Sequence, residues 1–261
     1  MNPMFLVRVP VAMNQLARCA GERGWLRHRG SVAGFDEGRV LHHLLDETFG
    51  PGSLRPFRLL VAPRQTVGSL YGYCENDAER LRDGARVHAL PEHLGVLNLD
   101  RLESKAMPGA WAEGRRLGFD LRVRPVRRLK STGGNGETAF RKGAELDAFQ
   151  VEALRRHPDN PDGMEQDGQT REAVYMDWLA ERLEPAAELD RKATRLVRFQ
   201  RLRVSRGNAG PEGPDATFHG ALTVTDPERF KVLLAKGVGR HRAYGFGMLL
   251  LRPASRPVPR R

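Results

Sequence analysis

A chain of 261 residues with 40% apolar side chains can build one large core or two ordinary ones of about 100–150 residues, and its composition excludes a disordered polymer. Its formal net charge of +11 and pI near 10.4 call for a polyanionic partner; no apolar run approaches the roughly 18 residues of a membrane span, so nucleic acid is expected rather than a membrane. Cys19 and Cys74 have no metal-ligand spacing, the histidines form no metal-binding pair and no signal-peptide pattern opens the chain, which predicts a reduced, cytoplasmic protein with no metal and no cofactor.

In chain order, residues 5–9 read as a strand. Residues 12–34 form a long basic connection containing Trp25 and His28, and 37–49 a helix stopped by Gly50-Pro51. Strands over 57–62 and 67–73 flank Pro63-Arg64-Gln65-Thr66, followed by a short helix near 77–81 and a strand near 101–107. The second half opens with a strand over 117–126. Residues 142–170 are polar and turn-rich, a loop or locally helical. A helix over 172–183 sets Val174, Trp178 and Leu179 on one side. Strands over 195–204 and 217–224 flank the turn-rich 207–214. Asp226-Pro227-Glu228 then supplies a cap, a first-turn proline and an acid for a helix with the stripe Phe230, Leu233 and Leu234, stopped by Gly237. Residues 248–251 form the last strand. The order strand-helix-strand-strand-helix-strand is the split β-α-β pattern of an α+β ferredoxin-like fold, clearest in the second half.

Basic residues gather in three segments: Arg115 to Lys130, including Arg127 and Arg128; Arg191 to Arg206, including Arg201 and Arg203; and Lys236 through the tail. In the second, Leu196, Phe199, Leu202 and Val204 interleave with arginines, as in a strand with one buried and one basic face. The third begins Lys236-Gly237-Val238-Gly239-Arg240-His241-Arg242-Ala243-Tyr244-Gly245-Phe246-Gly247. Glycines let backbone N–H groups approach a polyanion, and arginine grips phosphate through a planar fork. These features point to RNA.

Four motifs in order carry a family resemblance: Phe119-Asp120-Leu121-Arg122-Val123-Arg124-Pro125, the Trp178-Leu179 helix, Phe218-His219-Gly220-Ala221-Leu222-Thr223-Val224, and the glycine-rich segment ending in Ala243-Tyr244-Gly245-Phe246-Gly247. With them the chain resembles the CasE family, the CRISPR repeat-processing endoribonucleases of type I-E systems. The resemblance implies two tandem ferredoxin-like (RRM-like, RAMP-type) domains, 1–110 with the catalytic helix and 111–261 with a basic hairpin and the glycine-rich loop. It implies metal-free cleavage of precursor RNA at the base of a CRISPR repeat stem-loop, with the product held among other Cascade subunits. A non-catalytic RNA-binding subunit of the same fold is the alternative. Arg201, Arg203 and Arg206 inherit the hairpin's role in the RNA groove. Arg127, Arg128, Lys130, Lys236, Gly239, Arg240, Arg242, Gly245 and Gly247 complete the expected RNA contacts.

Metal-free cleavage needs a base for the 2′-hydroxyl proton and an acid for the leaving 5′-oxygen, and histidine suits both. In the helix over 37–49 the apolar residues define a buried face, which leaves His43 toward solvent and His42 at the rim beside Leu45 and Phe49. The family's catalytic histidine likewise follows an apolar residue, which selects His42. Arg39 stands where relatives often carry a tyrosine, one turn earlier, and could neutralise charge developing on phosphorus. His241 suits phosphate contact; Tyr71, Tyr73 and Tyr244 are expected to pack.

Overall fold

A computed structural model describes residues 3–25, 36–130, 132, 140–157, 161–164, 167–203 and 212–254. Two compact units divide the chain: Met1–Trp111 with Lys231–Leu250, and Ala112–Phe230 with Leu251–Arg261. By compactness, therefore, the glycine-rich segment joins the N-terminal part of the chain, whereas the expected boundary at 110/111 had left it with the C-terminal part.

The first unit is built from β1 (Phe5–Ala12), α1 (Met13–Glu22), α2 (Glu37–Phe49), β2 (Phe57–Leu60), β3 (Val67–Cys74), α3 (Ala78–His88), α4 (Pro91–Val96) and β4 (Glu103–Ala106). Its sheet runs β2-β3-β1-β4, antiparallel at each pairing, with β1 and β2 separated by β3, as a split β-α-β unit requires. Val7, Val9 and Val11 on one face of β1 are wholly buried, and Leu16 of α1 and Val40, Leu41, Leu44 and Leu45 of α2 share their core. The two-residue period of a strand and the 3.6-residue period of a helix meet there.

The expected connection over 12–34 contains a helix. Leu16, Cys19 and Ala20 bury one side of α1, but its N-terminus has neither a side-chain cap nor an acidic first turn; tertiary burial makes this helix without a local start signal. By contrast, α2 begins where Asp36 accepts a hydrogen bond from the Arg39 N–H at 3.1 Å. His28 lies outside the described residues.

The second unit contains β5 (Arg116–Val123), β6 (Val126–Arg128), β7 (Glu145–Asp147), α5 (Ala148–Arg156), α6 (Arg171–Leu183), β8 (Ala187–Arg203) and β9 (Glu212–Val224). The chain leaves it along α7 (Pro227–Lys236) and returns along β10 (Leu249–Arg252). The sheet order β10-β5-β9-β8 repeats the permutation of the first sheet, so the fold is α+β with two ferredoxin-like sheets. Trp178 is fully buried, and its indole N–H donates to the Val126 carbonyl at 3.1 Å. The strand expected over 117–126 ends at Val123, and after Pro125 the chain pairs instead with β7. Asp147 caps α5 through the Phe149 N–H at 2.8 Å and accepts from the Tyr175 hydroxyl and Arg171, so the described part of the polar 142–170 segment includes a strand and a helix.

Strand β8 is longer than expected and lies at the sheet edge. Its register on β9 shifts between Asp190 and Arg195 and again between Leu196 and Arg198. Asp190 accepts the N–H groups of Lys192 and Ala193 across the first irregularity. These shifts break strict alternation, and Phe199 is exposed where it was expected on a buried face.

Candidate RNA-processing site

Helix α2 buries Val40, Leu41, Leu44 and Leu45, which leaves Arg39, His42, His43 and Asp46 half-buried along its flank. Against this flank lies the glycine-rich segment, folded as a short 3-10 turn over Arg242–Tyr244. Val238 and Phe246 anchor the segment in the core. The Val238 N–H donates to the Gly247 carbonyl at 2.8 Å, and Arg242 donates to the Lys236 carbonyl at 2.7 Å.

The glycines answer first to this packing. Gly245 and Gly247 have φ of 79° and 80° and are buried. A Cβ on Gly247 would collide with the Val238 carbonyl, and one on Gly245 would lie 3.2 Å from Phe57. Gly38 of α2 serves the same contact from the other side, since a Cβ there would strike the Tyr244 carbonyl. The close approach sets the Tyr244 ring edge-on to His42, with centroids 5.0 Å apart.

On its other side His42 meets Arg55, whose Nη2 donates to His42 Nδ1 at 2.9 Å. The same Nη2 donates to Asp46 Oδ2, which stands 3.6 Å from His42 Nδ1. Asp46 Oδ1 also accepts the Gly52 N–H at 3.1 Å. Burial holds the His42 pKa below the usual imidazole value; the Arg55 and His43 charges act in the same direction, and Asp46 opposes them.

His43 is not directed into bulk solvent as expected. Its ring centroid lies 4.8 Å from that of Trp25 and 4.9 Å from that of His42. The Arg39 guanidinium also covers Trp25, 5.0 Å from the ring centroid. Trp25, inside the segment read as a long basic connection, therefore packs on two neighbours of His42.

Of the expected RNA contacts, Lys236, Arg240 and Arg242 are exposed and Gly239 is half-buried on this same segment. In the second unit Arg127 pairs with Glu181 at 2.7 Å, Arg128 donates to the Gly143 carbonyl, and Lys130 is exposed. Arg201 is exposed on β8, Arg203 stands opposite Glu212 in the strand register, and Arg206 lies outside the described residues. Among the described residues no three His, Cys, Asp or Glu side chains gather as metal ligands, and no helix is long and apolar enough to cross a membrane.

Sequence reasoning missed Arg55 and Asp46. Asp46 was within reach of it, because it lies four residues after His42 on the same helix. Arg55 sits in the connection to β2 and meets His42 only through the fold.

Repeated sheet permutation and strong positive charge define a basic protein of paired ferredoxin-like domains. The chain belongs to the CRISPR-associated protein family, whose model matches residues 4–253 and so takes in the first half of the chain as well as the four motifs of the second. Among solved structures it is similar to a CRISPR endoribonuclease Cse3 bound to 19-nucleotide RNA, with 20% identity, 96% of this chain and 100% of that chain covered, and a TM-score of 0.63. Thermus thermophilus Cse3, bound to an RNA representing a pre-cleavage complex, matches at 20% identity, the same coverage and a TM-score of 0.62. Cas6e from Escherichia coli K-12 matches at 17% identity over 96% of this chain and 100% of that chain, with a TM-score of 0.56. At these identities the likeness establishes the fold. No curated protein matches the chain.

Proposed function

We propose that this protein is a metal-independent endoribonuclease that binds the stem-loop of a CRISPR repeat, cuts precursor RNA at the stem base and remains with the product as a Cascade subunit in the cytoplasm. The observation that carries the reading is His42. It is a half-buried imidazole of depressed pKa, on a rigid helix and against a turn whose neighbouring Lys236, Arg240 and Arg242 are exposed. A neutral imidazole near neutral pH can take and return protons. In the reaction the 2′-oxygen attacks the adjacent phosphorus and the bond to the 5′-oxygen breaks. His42 takes the 2′-hydroxyl proton as the new bond forms, the departing 5′-oxygen gains a proton from water, and Arg39 and the loop cations offset the phosphorane charge. The products are a 2′,3′-cyclic phosphate and a 5′-hydroxyl.

The test is cleavage of repeat RNA by the purified protein in EDTA, beside a substrate carrying 2′-deoxyribose before the cut. Undiminished cleavage in EDTA and complete resistance of the bound deoxy substrate are expected. Loss of cleavage in EDTA, or cutting of the deoxy substrate, overturns the mechanism. Binding without cleavage of either RNA would mark a non-catalytic RNA-binding subunit.

A further inference from the structure

We infer that Arg55 and Asp46 compete for Nδ1 of His42 and so select which ring nitrogen carries the proton, which makes both of them positioning residues for the cleavage proposed above. A guanidinium has five N–H donors and no acceptor. Since Arg55 Nη2 lies 2.9 Å from Nδ1, Nδ1 must accept, and the neutral ring carries its proton on Nε2. In that form Nε2 cannot take a proton from a 2′-hydroxyl.

Asp46 favours the opposite arrangement. Its carboxylate can only accept, and Oδ2 lies 3.6 Å from the same Nδ1. A proton on Nδ1 would point to it and free the Nε2 lone pair. Asp46 is held for this by the Gly52 N–H on Oδ1 and by Arg55 on Oδ2. Rotation of the Arg55 guanidinium off Nδ1, while it stays on Asp46, exchanges the two tautomers without moving α2. The side chains of His42, Asp46 and Arg55 keep 18%, 22% and 31% of their exposure, so a ligand can reach a group that bulk water does not flood. A phosphate suits that exchange, because the guanidinium fork matches its oxygens. The resting protein would thus hold His42 as an N–H donor, and RNA would release it as a base. His43 and Arg39 on α2, with Tyr244 and His241 on the glycine-rich turn, are the other titratable or charged neighbours.

Nitrogen-15 NMR of histidine-labelled protein reads the tautomer directly. In the free wild-type protein at a pH where His42 is neutral, the proton should lie on Nε2. Arg55→Met should move it to Nδ1 and raise the His42 pKa, and Arg55→Lys should restore part of the wild-type signature. Asp46→Asn should leave the proton on Nε2, lower the pKa, and reduce kcat more than it raises KM. A bound 2′-deoxy repeat stem-loop should shift the wild-type signal toward Nδ1–H. A wild-type proton on Nδ1, or an Arg55→Met tautomer and titration unchanged from wild type, overturns the inference; if Arg55→Met does not fold, the wild-type and Asp46→Asn spectra decide it. An unchanged tautomer on RNA binding overturns the exchange. Cleavage by a His42→Ala variant would instead sink the catalytic assignment of His42 while the tautomer result stood, so the two failures are separable.

Discussion

The two cationic regions differ in what their charges meet. In the second unit, much of the basic sequence is answered by carboxylates from distant parts of the chain: Arg116 by Asp190, Arg122 by Asp215 through two bonds of 2.8 and 2.7 Å, Arg127 by Glu181 and Arg191 by Asp177. Exposed guanidinium groups remain along the outer part of β8, where Arg195 donates to the Thr194 carbonyl, Arg198 to the Gln200 amide oxygen, and Arg201 is exposed. In the first unit the cations are fewer, but Lys236, Arg240 and Arg242 are exposed at and along the glycine-rich segment whose Tyr244 packs against His42. A run of like charges in sequence therefore overstates the local field wherever the fold brings acids to it. Under the proposed function the second unit supplies an extended grip on RNA, and the first a small site where charge adjoins the proton-transferring His42.

The largest effect that can break this contrast comes from His42→Ala. Cleavage should fall by about 10²–10⁴-fold with repeat-RNA affinity nearly unchanged, as single-turnover kinetics and filter binding would read. A parallel loss of binding would erase the division of labour. Next is Gly245→Val, which places a branched side chain at φ 79° beside Phe57. A destabilisation of about 1–3 kcal/mol is expected in urea unfolding, whereas a normal midpoint with weakened RNA binding would return that glycine to the RNA surface.

Smaller effects sharpen the second unit. The Arg201→Ala and Arg203→Ala double variant should bind RNA more weakly and lower the slope of log K against log salt by about 0.7–0.9 per lost phosphate contact. An unchanged slope would show that β8 does not grip the backbone. Arg127→Ala should do least. Its partner Glu181 already competes for the guanidinium, whose hydrogen bond holds the carboxyl below its usual pKa; such part-exposed pairs contribute about 0–1 kcal/mol. A salt slope that falls as far as for Arg201 would mean that Glu181 yields Arg127 to RNA.

Legibility in the sequence followed the locality of the physics. Helix α2 was bounded at both ends because a run with helical apolar spacing meets Gly50-Pro51; β1, β3 and β9 were found because strands of apolar and aromatic residues have local signatures, though β1 runs on to Ala12 and β9 starts as early as Glu212. Helix α1 was missed because nothing caps it, and α4 because six residues opened by Pro91 carry too little periodicity. The end of β5 was overrun because Pro125 was read through. His42 was picked out by its place at the rim of an amphipathic helix together with the family resemblance. Its neighbours could not: Trp25 reaches His43 across residues 26–35, Arg55 reaches Nδ1 from a connection, and Tyr244 arrives from the far end of the chain. Side-chain chemistry was visible locally, but juxtaposition belongs to the fold.

Because Lys231–Leu250 belongs to the same unit as Met1–Trp111, the surroundings of His42 are completed only after Ala112–Phe230 has been synthesised. A ribosome delivers β1 to β4 early, yet Tyr244 and the Val238–Gly247 clasp reach α2 only after the intervening residues of the second unit have been made. A nascent polypeptide interrupted before residue 244 carries the histidine without the turn that packs on it. Vectorial translation thus delays assembly of the site until the turn around residue 244 has been made, and contacts of such long sequence separation place the step among the slow, non-local events of folding.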